Sequence, residues 1–179
     1  MKRVCVFCGS SSGRRPEYAQ AAEALADALA DTGRALVYGG GNTGLMGALA
    51  DRMLARGAGV IGIIPQGMLH REVGHPGLRD LRVVATMHER KALMAELAEG
   101  FVALPGGFGT LDEFCEILTW AQIGLHAKPC GLLDAAGYFG RFLAFLDHAV
   151  AEGFIKPRHR ARLVVAADPA ELLRTMDRS

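Results

Sequence analysis

The sequence predicts a three-layer α/β sandwich, in which helices cover both faces of a central parallel sheet. Segments with strand-like and helix-like apolar spacing alternate along the 179 residues. Apolar runs such as the one at 60–64 are unbroken, as in parallel strands that are covered on both faces. Glycine-rich turns follow several of these runs. We therefore expect one Rossmann-like domain over residues 1–179, with its ligand at the carboxyl ends of the strands.

The first half of the chain begins with a strand at 3–8 and a helix at 16–31. A strand at 35–38 then leads through a glycine-rich turn into a helix at 44–56, and the next apolar run predicts a strand at 59–64. The segment 66–81 has no clear period and is rich in glycine and proline, which predicts a long loop at the edge of a site. The second half continues with strands at 82–85, 101–104, 130–133 and 162–166, and with helices at 87–98, 111–124, 138–152 and 168–177.

The amino-acid composition argues against a nucleic-acid-binding protein and against a membrane protein. With 50% hydrophobic residues the chain suits one domain with a substantial core. The formal net charge is +1, from 20 basic and 19 acidic residues spread along the sequence, so no broad nucleic-acid-binding surface is expected. No apolar run reaches the roughly 18 residues of a membrane span, and the first residues lead into a strand instead of a signal peptide. We expect a cytoplasmic protein without nucleic-acid or membrane partners.

The four cysteines do not suggest redox chemistry. Cys5 and Cys8 lie three residues apart in the first strand, where that offset points them to opposite faces. Cys115 and Cys130 are expected to be small core residues. The six histidines lack paired ligand spacing, so we predict no metal and no cofactor.

The glycine-rich turn at 104–113 is typical of an anion-binding site. Pro105 ends the strand at 101–104, and helical spacing begins at Leu111. The glycines Gly106, Gly107 and Gly109 allow the backbone to approach a phosphate, to which the helix dipole adds roughly half a positive charge. Glu113 would then stand one turn inside the site.

The same residues also fit a capping box, with Thr110 as the N-cap and Glu113 at the third helical position. The two interpretations can coexist. Three glycines in four positions favour a ligand, because a cap needs only one such residue and each glycine costs chain entropy.

A second constellation starts the helix at 87–98. Met87, Leu93, Met94 and Leu97 form an apolar stripe, and Arg90 falls in the middle of it. A buried guanidinium must meet a carboxylate, a phosphate or an aromatic face. The alternatives to a functional role are a structural ion pair and a snorkelling side chain. Lys91 adds a second positive charge near the stripe.

A third glycine cluster follows the strand at 35–38. Its spacing Gly39-x-Gly41-x-x-Gly44 matches the dinucleotide fingerprint. The fingerprint calls for an acidic residue about 20 residues later, and the sequence near 62–65 has none. The pattern favours a nucleotide site but not a complete NAD site. We expect this cluster, the turn at 9–13 and the turn at 105–113 to converge.

Together these motifs resemble the LOG (Lonely Guy) family, the cytokinin riboside 5′-monophosphate phosphoribohydrolases. The resemblance covers nearly the whole chain. It is carried by Cys5-Val6-Phe7-Cys8-Gly9-Ser10, Tyr38-Gly39-Gly40-Gly41, Gly44-Leu45-Met46-Gly47, Met87-His88-Glu89-Arg90-Lys91, Pro105-Gly106-Gly107-x-Gly109-Thr110-x-x-Glu113, Thr119-Trp120-Ala121-Gln122 and Glu152-Gly153-Phe154-Ile155.

The resemblance implies hydrolysis of the N-glycosidic bond of an N6-substituted adenosine 5′-monophosphate, with AMP as a further ligand, and it implies a homodimer. Arg90 and Glu113 match the catalytic pair of the family. The resemblance implies substrate-binding roles for Glu72, Lys91, Gly106, Gly107, Phe108, Gly109, Thr110, Leu111, Asp112 and Thr119, with Ser10, Gly40, Gly41 and Met46 as secondary candidates. Two places depart from the family pattern: Asp112 stands where glutamate is frequent, and the residues at 68–72 differ from Leu-Met-Pro-x-Glu.

The chemistry of the reaction agrees with this pair. Cleavage builds positive charge on the ribose and negative charge on the departing base, which suits a carboxylate and a cation. Glu113 would hold the ribose hydroxyls, stabilise the oxocarbenium-like state or activate water. Arg90 would stabilise charge and position the substrate, since its pKa is too high for an ordinary proton donor.

Two other functions fit parts of the sequence. A nucleotide carrier without catalysis, resembling the molybdenum-cofactor carriers, would use the same glycine turns but would not need a carboxylate beside the anion. A lysine decarboxylase would need a lysine that binds pyridoxal phosphate, and Lys91 is the one lysine in a candidate site.

Overall fold

The computed structural model describes residues 1–69 and 74–179 and contains a seven-stranded parallel sheet in the order β4-β3-β2-β1-β5-β6-β7. This arrangement confirms the predicted α/β sandwich. The strands are β1 (Arg3–Phe7), β2 (Ala35–Tyr38), β3 (Val60–Pro65), β4 (Asp80–Val84), β5 (Gly100–Ala103), β6 (Cys130–Leu133) and β7 (Leu163–Ala166).

The helices agree with the sequence prediction in order; α1 has the predicted bounds, and the other predicted helices differ at one or both ends. They are α1 (Pro16–Asp31), α2 (Gly44–Ala55), α3 (Met87–Leu97), α4 (Phe108–Gln122), α5 (Gly140–Ala151), α6 (Pro157–Arg160) and α7 (Pro169–Met176). The four-residue α6 and the 3₁₀ turns at 66–68 and 135–137 were not predicted, because segments this short show no periodicity.

Alternate residues of β1 point into two separate cores, one on each face of the sheet. Val4 and Val6 pack with α1, α2 and α7, whereas Cys5 and Phe7 pack with α3, α4 and α5. Cys8 belongs to the first core and Cys5 to the second, so the predicted separation of these two thiols is confirmed. Burial raises the pKa of both thiols, which keeps them protonated.

Of the two remaining cysteines, Cys130 is buried as predicted, but Cys115 is exposed and its prediction as a core residue is wrong. On α4 the positions on either side of it, Phe114 and Ile117, carry the buried face instead. Helical spacing places Cys115 outside the buried face that these two residues define.

The sheet order places β1 between β2 and β5. The turns that follow these three strands meet at the carboxyl edge, as expected. Gly9 links them: its N–H donates to the carbonyl of Pro105 over 3.0 Å, and its carbonyl accepts from the N–H of Leu45 over 3.0 Å. A ligand at this edge would contact all three turns.

Candidate active site

Helix α4 begins at Phe108, three residues earlier than the sequence predicted, with Gly107 as its N-cap. Thr110 is therefore the third helical residue and Glu113 the sixth, so the predicted capping box is wrong. The error has a physical reason: the apolar spacing that marks the helix begins only at Leu111, so it does not reveal the first turn, which Phe108 and Gly109 begin. Glu113 makes no cap, and its side chain leans towards the start of the helix.

The turn before α4 is tightly packed on one side and open on the other. A Cβ atom on Gly106 would lie 2.0 Å from the hydroxyl of Thr110 and 2.9 Å from the backbone nitrogen of Gly9, so this position requires glycine. Gly107 and Gly109 face open space, and the side chain of Phe108 is 94% exposed. The first N–H groups of α4 have no intrahelical acceptor and lie at this open surface.

Arg90 is buried in α3, where the sequence predicted it. Thr86 caps the helix by accepting from the N–H of Glu89 at 3.1 Å, and the carboxylate of Glu89 accepts from the N–H of Ala85 at 2.9 Å. This reciprocal cap fixes the turn that carries Arg90. The guanidinium is 6% exposed, and its Nη2 lies 3.6 Å from Oε1 of Glu113, whose side chain is 11% exposed. The structure therefore brings the two candidate catalytic residues together.

The guanidinium of Arg90 lies directly on the backbone of Gly39. A Cβ atom at that position would be 2.0 Å from Nη2 of Arg90 and 3.3 Å from the sulfur of Met46. The Nη1 atom lies 3.7 Å from the sulfur of Met87 and 4.0 Å from that of Met68. Nε has no hydrogen-bond partner among the described residues. Within the described part of the chain, the surroundings of Arg90 apart from Glu113 leave its Nε available for a ligand.

Lys91 and Asp112, two predicted substrate-binding residues, contact each other. Nζ of Lys91 lies 3.2 Å from Oδ2 of Asp112 and 3.1 Å from Oε2 of Glu116. Burial alone would lower the pKa of Lys91, but the hydrogen bonds to Glu116 and Asp112 outweigh it and raise that pKa. These contacts tie α3 to α4, the two helices that carry Arg90 and Glu113.

The glycine cluster at 39–47 does not present a free helix N-terminus. The N–H groups of Leu45 and Met46 point to the carbonyl of Gly9, at 3.0 and 3.4 Å. Gly44 has a φ of 60°, and a Cβ atom there would lie 2.3 Å from the carbonyl carbon of Ser10. The turn at 9–11 thus packs against the start of α2 and accepts hydrogen bonds from its first N–H groups. The resemblance to a dinucleotide fingerprint reflects this close packing, not an open phosphate site.

Gly40 and Gly41 form backbone contacts with Gly74 and His75, the first residues described after the gap at 70–73. The carbonyl of Gly40 accepts from the N–H of His75 at 3.0 Å, and Gly41 forms a β-bridge with Gly74. The buried ring of His75 contacts the carboxylate of Asp51 at 3.0 Å. Of the remaining candidates, Ser10 is exposed and Leu111 is half-buried against the second core. Glu72 lies outside the described residues.

Thr119 lies apart from the other candidates. About one and two-thirds helical turns separate it from Glu113, which places the two side chains on different faces of α4. Its hydroxyl donates to the carbonyl of Cys115 at 2.8 Å, and the residue lines a cavity of about 330 Å³. That cavity is also lined by Cys130 and Leu163, the first residues of β6 and β7, so it opens at the opposite edge of the sheet.

Sequence reasoning missed three residues that shape the site. Gly39 was assigned to a nucleotide turn, although its role is to make room for Arg90. His75 fell in the predicted loop. The hydroxyl of Tyr138 donates to the carbonyl of Gly106 at 2.5 Å, and no local pattern could have signalled a contact across 32 residues.

Within residues 1–69 and 74–179, no helix has the length and apolar character needed to cross a membrane. Over the same residues, no group of three or more histidine, cysteine, aspartate or glutamate side chains is placed to hold a metal ion.

The chain matches a family model and several named relatives over most of its length. A family model described as "Possible lysine decarboxylase" matches residues 46–176. The chain is 48% identical over 176 residues to the cytokinin riboside 5′-monophosphate phosphoribohydrolase LOG7 of Arabidopsis thaliana, covering 98% of this chain and 81% of that one. It is also 48% identical over 172 residues to the phosphoribohydrolase LOG of Oryza sativa, covering 96% of this chain and 71% of that one.

Solved structures resemble this fold at lower identity. The molybdenum cofactor binding protein of Rippkaea orientalis matches with a TM-score of 0.74 and 21% identity, covering 99% of this chain and 97% of that one. The molybdenum cofactor carrier protein of Chlamydomonas reinhardtii matches with a TM-score of 0.74 and 20% identity, covering 98% of this chain and 96% of that one. At these identities the likeness establishes the fold alone.

Proposed function

This chain belongs to the LOG family, whose members include the cytokinin riboside 5′-monophosphate phosphoribohydrolases, and from this we propose that it hydrolyses N6-substituted adenosine 5′-monophosphates. The products are the free base and ribose 5-phosphate. We propose that the whole chain acts as one domain, with Arg90 and Glu113 as its catalytic residues.

The observation that carries the proposal is the buried pair of Arg90 and Glu113, 3.6 Å apart, beside the open start of α4. A phosphate on the first N–H groups of α4 would place the ribose further along the helix, towards Glu113. A carboxylate in that position repels a bound anion, so a site that only stored phosphate would gain nothing from it. It would favour a sugar that becomes positively charged.

The reaction requires two charges to be stabilised in its transition state. The bond between the ribose anomeric carbon and the base nitrogen breaks, its electron pair leaves with the base, and a water oxygen bonds to the carbon. The water releases one proton and the base takes up one. Glu113 would stabilise the oxocarbenium-like ribose or accept the proton of the water. Arg90 would position the nucleotide and stabilise negative charge through its planar fork.

We expect the enzyme to require the 5′-phosphate, because the start of α4 offers backbone donors and a dipole but no groups that recognise a base. N6-isopentenyl-AMP, AMP and N6-isopentenyladenosine should be incubated with the protein at equal concentration, and the free base followed by chromatography. The riboside should react at least about a hundredfold more slowly than its monophosphate. Equal rates would contradict a phosphate site at α4.

The description of the family model as a lysine decarboxylase does not fit the residues of this chain. A lysine that binds pyridoxal phosphate must lose its proton easily. Lys91 instead contacts two carboxylates that raise its pKa, and Nζ of Lys128 donates to the carbonyl of Ala95. The carrier function would use the same turns without turnover, and the release of free base in the assay above distinguishes the two.

We also propose that the protein forms a homodimer through the face that contains the cavity of about 330 Å³. Apolar side chains line this cavity, among them Leu118, Leu146 and Ile155. Exposed apolar side chains lie on the segments that border it, and these are Ile123, Leu125, Phe145 and Phe154, the last of which is 85% exposed. A face that carries both protruding side chains and a hollow can match a second copy of itself.

The dimer can be tested by charge substitution. Phe154→Glu should convert most of the protein to monomer at micromolar concentration, because the carboxylate would be buried without a partner. Val83→Glu is the control, since Val83 is an exposed apolar residue on the edge strand β4. Light scattering after size exclusion measures both. A monomeric wild-type protein, or a Phe154→Glu variant that remains dimeric, would contradict the interface.

The cytoplasmic location expected from the sequence stays a prediction.

A further inference from the structure

Tyr138 reaches the glycine turn that precedes α4 from a distant part of the chain. It lies between β6 and α5, and its hydroxyl donates to the carbonyl of Gly106 at 2.5 Å. Gly106 directly precedes Gly107, the N-cap of α4. Tyr138 therefore contacts the last peptide group before the helix begins.

The segment that carries Tyr138 is held at several points. The carboxylate of Asp134 accepts from the N–H of Phe139 at 2.7 Å, and the carbonyl of Ala136 accepts from Arg15 at 3.3 Å. Ala136 has a φ of 52°, in the left-handed region that an alanine adopts only at a cost. Contacts with the rest of the fold therefore stabilise a backbone conformation that Ala136 disfavours on its own.

Neighbouring rings fix the ring of Tyr138 as well. It packs edge-on against Tyr18, with ring centres 5.6 Å apart, and against Phe139, at 5.0 Å. Tyr18 in turn lies under the guanidinium of Arg15, 5.9 Å from its ring centre. With its ring held between two others, the hydroxyl has a defined position.

The direction of one carbonyl determines the direction of the next N–H. The carbonyl of Gly106 and the N–H of Gly107 belong to a single planar trans peptide, so they point in opposite directions. Two adjacent glycines leave this peptide unusually free to rotate. The hydrogen bond from Tyr138 removes that freedom and directs the N–H of Gly107 away from the tyrosine.

We propose that Tyr138 is a positioning residue that orients the peptide between Gly106 and Gly107, so that the N–H of Gly107 binds the 5′-phosphate of the nucleotide. This inference rests on the proposed function, because it assigns the phosphate to the start of α4. Tyr138 itself does not touch the reacting atoms. Its contribution lies in phosphate affinity, not in bond cleavage.

The test is Tyr138→Phe, which keeps the ring packing and removes the hydroxyl. We expect the KM for N6-isopentenyl-AMP to rise about five- to tenfold, as for the loss of one hydrogen bond, with kcat within about twofold of wild type. The affinity for ribose 5-phosphate, measured by calorimetry, should fall by the same factor, and the affinity for adenine should not change. Tyr18→Phe removes a hydroxyl from the neighbouring ring and should leave KM, kcat and both affinities unchanged.

Two outcomes would overturn the inference. One is an unchanged affinity for ribose 5-phosphate in Tyr138→Phe, and the other is an equal loss in Tyr18→Phe. Calorimetry with ribose 5-phosphate does not depend on turnover, which separates this test from that of the proposed function. If the wild-type protein binds ribose 5-phosphate but releases no base, the proposed hydrolysis fails while the comparison of the two variants still decides the role of Tyr138. A wild-type protein that does not bind ribose 5-phosphate would overturn the inference about Tyr138, while the release of base from N6-isopentenyl-AMP still decides the proposed hydrolysis.

Discussion

Glu113→Gln is expected to reduce base release by about a thousandfold or more, while AMP binding stays within about tenfold of wild type. The amide keeps the size of the side chain and its place on α4, but it loses the negative charge that stabilises the ribosyl cation. Because Glu113 is the sixth residue of the helix and not part of a cap, the change should not disturb the start of α4.

Single-turnover hydrolysis of N6-isopentenyl-AMP and calorimetry with AMP measure the two effects on one preparation. Glu116→Gln is the matched control, since it makes the same chemical change on the same helix at a residue that contacts Lys91. The control should keep activity within about fivefold of wild type. Near wild-type turnover in Glu113→Gln would contradict a catalytic role for Glu113 and would leave it only a structural role as the partner of Arg90.

Arg90→Lys is expected to reduce kcat/KM by about a hundredfold or more, although the positive charge is kept. The guanidinium lies against the backbone of Gly39 and reaches Glu113 with one of its nitrogens. Lysine has one terminal nitrogen and cannot reach both Glu113 and a ligand in that geometry. Arg52→Lys is the control, because Arg52 makes two 2.8 Å bonds to Asp27 outside the site, and its activity should match wild type.

Thermal melts without ligand measure how much the pair of Arg90 and Glu113 contributes to the stability of the fold. The sequence left open whether a carboxylate or a phosphate meets Arg90, and the structure supplies Glu113. Arg90→Met should lower the midpoint, because it removes the positive charge beside a largely buried carboxylate. When Glu113 is already replaced by Gln, the Arg90→Met substitution should lower the thermal midpoint much less. Equal costs in both backgrounds would show that the pair does not couple, and full activity in Arg90→Lys would contradict a catalytic role.

The sequence predicted most of what depends on local pattern. The apolar runs identified the seven strands, the offset between Cys5 and Cys8 assigned them to opposite faces, and the stripe on α3 placed Arg90 in the interior. Each of these follows from the period of a strand or a helix. Arg90 and Glu113 were expected in one site and lie 3.6 Å apart.

The remaining features depend on contacts that no local pattern encodes. The spacing of Thr110 and Glu113 matched a cap, but the true caps are Gly107 on α4 and the pair of Thr86 and Glu89 on α3. Where a helix begins is decided by the packing of its first turn, here by Thr110 against Gly106. Thr119 shares a motif with the site but faces another cavity, because its spacing from Glu113 places the two side chains on different faces of α4.

The closure of α2 by the carbonyl of Gly9 has a consequence for how the protein chooses among the nucleotides of a cell. Helices α2 and α4 follow the strands on either side of β1, and the carbonyl of Gly9 occupies the N–H groups of Leu45 and Met46 at the start of α2. Under the proposed function the start of α4 is the helix start that receives anionic oxygen. A nucleoside di- or triphosphate would bring extra charge without matching donors, so adenosine mono-, di- and triphosphates would be sorted by the number of their phosphates before the base is recognised.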